Sequence, residues 1–156
     1  MIARKILGLA AFLLLTACGE DPNARYLSFA GGGFVFNYRN AEAFYGFVAK
    51  PVRSLPEGGS IEAQFEVPGS AEPATVTEKV VTGQVQYSFK SPNLTGIEPK
   101  HDYKAVMRLL DAEGKEVARY EQNFHTDVDQ STLPNQPLVV GPGYEKNPDL
   151  KSGTLN

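Results

Sequence analysis

"SIEAQFEV", residues 60–67, decides the class of fold. Ile61, Ala63, Phe65 and Val67 are apolar, while Glu62, Gln64 and Glu66 between them are polar, so the period is two. An extended strand puts such a pattern on opposite faces, one against a core and one in water. The alternation returns in "QVQYSFK", residues 84–90, where Val85, Tyr87 and Phe89 oppose Gln84, Gln86, Ser88 and Lys90. In "DYKAVMRLLDAEGKEVARYEQNF", residues 102–124, two apolar-rich arms flank a turn at 111–114. That pattern predicts a hairpin whose second arm alternates through Ala118, Tyr120, Gln122 and Phe124. Further strands are expected at 34–38, 44–52 and 74–81. No apolar stripe at helical spacing runs long enough for several turns, and the chain has no internal repeat. Short strands among 15 glycines and 11 prolines predict an all-β sandwich or barrel.

The stretch "NLTGIEPKHDYKAVMRLL", residues 93–110, narrows that choice. It resembles the approach to the sixth strand of fibronectin type III and related immunoglobulin-like sandwiches. Those domains carry leucine or isoleucine, any residue, proline, three more residues, then tyrosine at the strand's start. Ile97, Pro99 and Tyr103 match. The resemblance implies an antiparallel β-sandwich of about seven to eight strands, with Tyr103 packed under a corner and its hydroxyl bonded to upstream backbone. The alternative is an ordinary half-buried strand tyrosine. The tryptophan usual on the family's second strand has no counterpart, since the chain contains none. "YLSFAGGGFVFNYR", residues 26–39, fits the first strand, and its three mid-strand glycines predict a bulge or a switch between sheets. As a phosphate cradle, Gly31, Gly32 and Gly33 lack a following helix and a lysine in place.

The chain begins with Arg4 and Lys5, then an apolar run at 6–15 broken only by Gly8, then Thr16 and Ala17. A membrane-spanning helix needs about 20 apolar residues. The shorter run reads as a cleaved export signal. "LTAC", formed by Leu15, Thr16, Ala17 and Cys18, resembles a bacterial lipobox. The resemblance implies diacylglyceryl transfer to the Cys18 sulfur, cleavage before Cys18, and acylation (palmitate-type) of the new amino group. Cys18 is the only cysteine, so it forms neither an internal disulfide nor a cysteine cage for metal. The alternative is a free cysteine inside an ordinary signal peptide. Gly19, standing where aspartate retains some lipoproteins in the inner membrane, favours the outer membrane of a diderm bacterium. The expected organisation is a signal at 1–17, a lipidated tether at 18–24, a sandwich at 25–128 and an extended Pro/Gly-rich tail at 129–156. Within that tail, residues 137–140 are expected to add a short edge strand.

Without residues 1–17, thirteen basic residues face eighteen acidic ones, a net charge of −5. An acidic surface argues against nucleic acid as a partner and against electrostatic docking on anionic lipid. The chain has two histidines and no G-x-S-x-G elbow, so no catalytic residue is assigned and an enzyme is not expected. His125, Asp127 and Asp129 are spaced by two and are of metal-ligating type. A linear trio at a strand's end is more often a polar strand terminus, and no cofactor or metal is expected.

Aromatics crowd the first third: Tyr26, Phe29, Phe34, Phe36, Tyr38, Phe44, Tyr45 and Phe47. Phe44, Gly46 and Val48 alternate with Tyr45, Phe47 and Ala49, and neither set is polar. One set is therefore expected to face outward, which makes Phe44, Tyr45, Phe47 and Val48 the candidate partner surface. Its cover is either the tail, through residues 138–140, or an envelope protein. The resulting expectation is a lipid-anchored, non-catalytic binding or assembly module, attached to the membrane at Cys18 and facing the periplasm or the cell surface. The alternatives are a carbohydrate- or peptidoglycan-binding module using exposed tyrosines and, less favoured, a small envelope hydrolase.

Overall fold

A computed structural model describes residues 24–150. Nine strands follow in chain order: β1 (Leu27–Asn37), β2 (Glu42–Pro51), β3 (Ser60–Phe65), β4 (Ala74–Lys79), β5 (Tyr87–Lys90), β6 (Tyr103–Leu110), β7 (Glu116–Phe124), β8 (Val139–Val140) and β9 (Glu145–Lys146). The only helical turn among the described residues is the 3₁₀ segment Gln130–Thr132. The domain is all-β. Every paired strand is antiparallel, in one sheet of order β1-β2-β5, a second of order β4-β3-β6-β7, and the small hairpin β8-β9.

Alternation decides which side chains meet between the two large sheets. From β3, Ile61, Ala63 and Phe65 are buried while Glu62 and Gln64 look outward. Ala43, Tyr45, Phe47 and Ala49 of β2 meet them from the other side, joined by Tyr87 and Phe89 of β5. Contact across the gap is direct: the Phe65 ring centroid lies 5.2 Å from that of Tyr45 and 5.6 Å from that of Phe47. The faces of these sheets form one shared core.

The glycine-bearing first strand follows a different rule. Phe29 pairs with Ala49 but Gly31 pairs with Val48, so the register slips by one residue at Ala30. Such a bulge reverses the side-chain parity of everything after it. Leu27 and Phe29 pack inward before the slip, and Phe34 and Phe36 pack inward after it. An unbroken period of two cannot bring Phe29 and Phe34 to the same core.

Two expected strands differ. Residues 84–86 do not continue β5, and Val85 is 74 % exposed rather than inward with Tyr87 and Phe89. A turn at Gly83 (φ +81°) lets the Gln84 amide donate to the Val81 carbonyl, and the Tyr87 hydroxyl bonds the Val81 backbone. The loop thus satisfies its own polar groups instead of joining a ladder. The tail also folds upon itself. Val139–Val140 pairs with Glu145–Lys146, not with a large sheet. It is pinned where Leu138 N–H donates to Arg39 O at 2.7 Å and where the Gln130 amide donates to Leu94 O, while Leu133 packs against the core.

Antiparallel pairing gives the domain two poles. One carries residues 24–26 and the loops 52–59, 80–86 and 111–115; the other carries 38–41, 66–73, 91–102 and 125–150.

Candidate functional site

The partner surface expected at Phe44, Tyr45, Phe47 and Val48 divides. Tyr45 and Phe47 are 0 % and 3 % exposed and belong to the core, which corrects their place in that surface. They are covered by the facing sheet and not by residues 138–140. Tyr45 stacks on Phe34 at 4.9 Å, and its hydroxyl donates between the carbonyls of Glu66 and Lys104, each 3.0 Å away. Burial first, and the Glu66 charge second, raise this phenol well above its ordinary pKa, so it remains a donor. A side chain of β2 thereby ties together the ends of β3 and β6. Phe47 contacts Phe29 at 4.7 Å and Phe89 at 5.5 Å. Phe44 and Val48 take the opposite parity and are half-buried on the outer face.

Cross-strand register builds that outer face. Val35 opposes Phe44, Gly33 opposes Gly46, and Gly31 opposes Val48. Val35 is 45 % exposed, and Lys90 Nζ sits 5.2 Å from the centroid of the Phe44 ring. Because three of the six positions are glycine, the strip is nearly bare backbone between apolar side chains. The outer face of the other sheet is unlike it. There Arg108 bonds both Glu62 and Glu116, and Arg119 bonds Glu116. Hydrogen bonds from Arg119 and then Arg108 hold the Glu116 carboxyl down to about 2. Sequence reasoning missed both Val35 and this charge row, because register alone places their members side by side.

At the corner, Tyr103 is 2 % exposed and its hydroxyl accepts the Glu98 amide at 2.8 Å. Ile97 is buried, and its amide donates to the Gln130 side chain at 2.8 Å; Pro99 lies between them on the surface. Tyr103→Phe should lower stability by ~1–2 kcal/mol, mostly through the stranded Glu98 amide. Chemical denaturation measures this, and an unshifted midpoint would remove the hydroxyl from the account of the corner.

His125, Asp127 and Asp129 are not gathered. β7 ends at Phe124, so they leave the ladder instead of sharing its face. His125 Nδ1 approaches Asp102 at 3.3 Å, while Asp129 accepts the Ser131 amide at 2.8 Å as the cap of the 3₁₀ turn. That backbone bond lowers the Asp129 pKa. Among the described residues no three His, Cys, Asp or Glu side chains come together as a metal site. A hollow of about 390 Å³ at the pole of residue 24 is lined by Arg53, Leu55, Val81 and Tyr87, with Glu57 its one carboxylate. A smaller one, about 220 Å³, holds Glu66, Glu98 and His101. Both Glu66 oxygens are engaged there, by His101 and by the Lys104 amide. The well-exposed tyrosines, Tyr38 and Tyr144, lie at the tail pole.

Cys18, the expected export signal and most of the expected tether lie outside the described residues. No described helix is long and apolar enough to cross a membrane. No model of a known protein family matches this chain, and no curated protein matches it.

Proposed function

We propose that this chain is an envelope lipoprotein, held in the outer membrane through acylated Cys18. Its fibronectin type III-like sandwich binds or assembles an envelope protein through the outer face of β1-β2-β5. Two observations support the finer fold. A constant-type immunoglobulin domain keeps its fourth strand in the sheet of the first, second and fifth. Here β4 pairs with β3 instead, which favours the fibronectin-type order. The Tyr103 hydroxyl on the Glu98 amide adds the corner.

The observation that carries the function is the strip of Val35, Phe44 and Val48 over Gly31, Gly33 and Gly46. Leaving large apolar side chains wet forgoes ~1.5–3 kcal/mol each, and flat apolar ground on one sheet, where the outer face of the other is charged, suits a protein partner. Membrane attachment rests on the "LTAC" stretch, since two or more acyl chains anchor where one does not. A photo-crosslinking residue at Val35 of the full chain in cells should capture a discrete protein, lost in Phe44→Glu. The same probe at Thr77, on the other sheet, should capture none. Cys18→Ser should release the chain from the membrane fraction. Equal capture from both positions, or capture that survives Phe44→Glu in a folded chain, rejects the strip as the contact.

A further inference from the structure

We infer that the pole carrying residue 24 lies against the phospholipid bilayer, with the loops 52–59 and 80–86 seated at the headgroups. The inference rests on acylation of Cys18. Six residue steps separate Cys18 from Ala24. A chain reaches at most ~3.3–3.6 Å per residue, so the tether can span no more than roughly 20 Å. β1 alone has 11 residues, about 35 Å of strand at ~3.3 Å each. A tether shorter than the domain is long leaves the opposite pole unable to reach the surface.

What stands at the tethered pole suits that position. Val52, Val81 and Val85 are 53 %, 55 % and 74 % exposed, in two loops that come from different connections. Arg25 sits over the Tyr120 ring at 5.2 Å and Arg53 over the Tyr26 ring at 4.3 Å, which puts two cations at this pole within reach of lipid phosphates. Charge divides the poles further. The loops of the tethered pole hold three cations and three carboxylates, a net of zero. Over residues 38–41, 66–73, 91–102 and 125–150 the far pole holds three cations and eight carboxylates, a net of −5. Bacterial and other anionic lipid repels the far pole and is indifferent to the near one. Exposed apolar groups at the far pole, such as Val140 and Tyr144, stand in that acidic field. In this orientation the strip of Val35, Phe44 and Val48 faces sideways, parallel to the membrane.

The test uses the full mature lipoprotein purified from its envelope, in which Cys18 is acylated and an introduced cysteine is the one free thiol. Val85→Cys and, at the far pole, Asn135→Cys are labelled with an environment-sensitive fluorophore and placed in phosphatidylethanolamine–phosphatidylglycerol vesicles. The label at position 85 should shift to the blue and lose most of its quenching by iodide, while that at 135 should not change. In detergent the two should be quenched alike. A chain that floats with its vesicles while the label at 85 stays as wet as that at 135 overturns the inference. Protection at 85 that persists in detergent also overturns it, because the cover is then protein. An unacylated Cys18 by intact mass, with no flotation, defeats the anchor and the inference together.

Discussion

Tyr45→Ser combined with Phe47→Ser is expected to unfold the domain. Both rings are buried between the sheets and share Phe65 and Phe124 as neighbours. Truncating one buried aromatic costs ~3–5 kcal/mol, and each new serine leaves a hydroxyl in the hole it makes. Shared neighbours prevent the two losses from adding simply. Even so, their sum takes most of the ~5–15 kcal/mol that holds a domain together. Tyr45→Phe isolates the hydroxyl that donates to Glu66 and Lys104, and should cost ~1–2 kcal/mol. Phe44→Ser, half-buried on the other side of the same strand, should leave a cooperative transition close to that of the parent. Thermal unfolding followed by circular dichroism reads all three. A parent-like melt in the double variant would reverse the assignment of inner and outer faces.

That assignment marks where sequence reasoning stops. In β3 one face is polar, so alternation alone names the buried set. In β2 both sets are apolar, and the period predicts a strand without saying which way it faces. The choice is made far along the chain, by Phe65 and Tyr103 of the facing sheet and by the bulge at Ala30 that turns Phe34 toward Tyr45. Tyr103 was legible because its partner, Glu98, is five residues upstream and the spacing is local. Tyr45 performs a comparable tie, but to carbonyls 21 and 59 residues away, and no spacing announces that. Val85 misled because the two-residue period runs on through 84–90 while the turn at Gly83 removes its first half from the ladder. His125, Asp127 and Asp129 share no strand face for the same reason at the other end, where β7 stops at Phe124. Of the outer strip, Phe44 and Val48 stood among the candidates, but Val35 becomes their neighbour only through register.

Gly32→Val tests the bulge and the strip together. Gly32 pairs with Phe47 and looks inward, where an added Cβ would fall 2.5 Å from the Gly46 carbonyl oxygen, 2.7 Å from Phe124 Cε1 and 2.9 Å from Phe47 Cβ. None of these gives way easily. The carbonyl is backbone of the middle strand, and the Phe124 ring lies within 5° of parallel to the Phe47 ring. At Gly31 and Gly33 a Cβ would meet nothing within 4 Å, consistent with the bare outer strip those positions create. β1 is an edge strand, so the cheapest relief for valine at 32 is to lift β1 from β2 and lose its pairing there. Overpacking of this kind costs ~1–3 kcal/mol, and backbone displacement on an edge puts Gly32→Val at the upper end. The melting temperature should fall by several degrees, and hydrogen exchange should quicken along β1 while β3 and β6 keep their protection. Because Val35 is held opposite Phe44 by the same register, crosslinking from position 35 should fall in parallel with that protection. A valine at 32 that leaves both the melt and β1 exchange unchanged would mean that the strand does not pack inward at this point, and the flat strip would lose its structural basis.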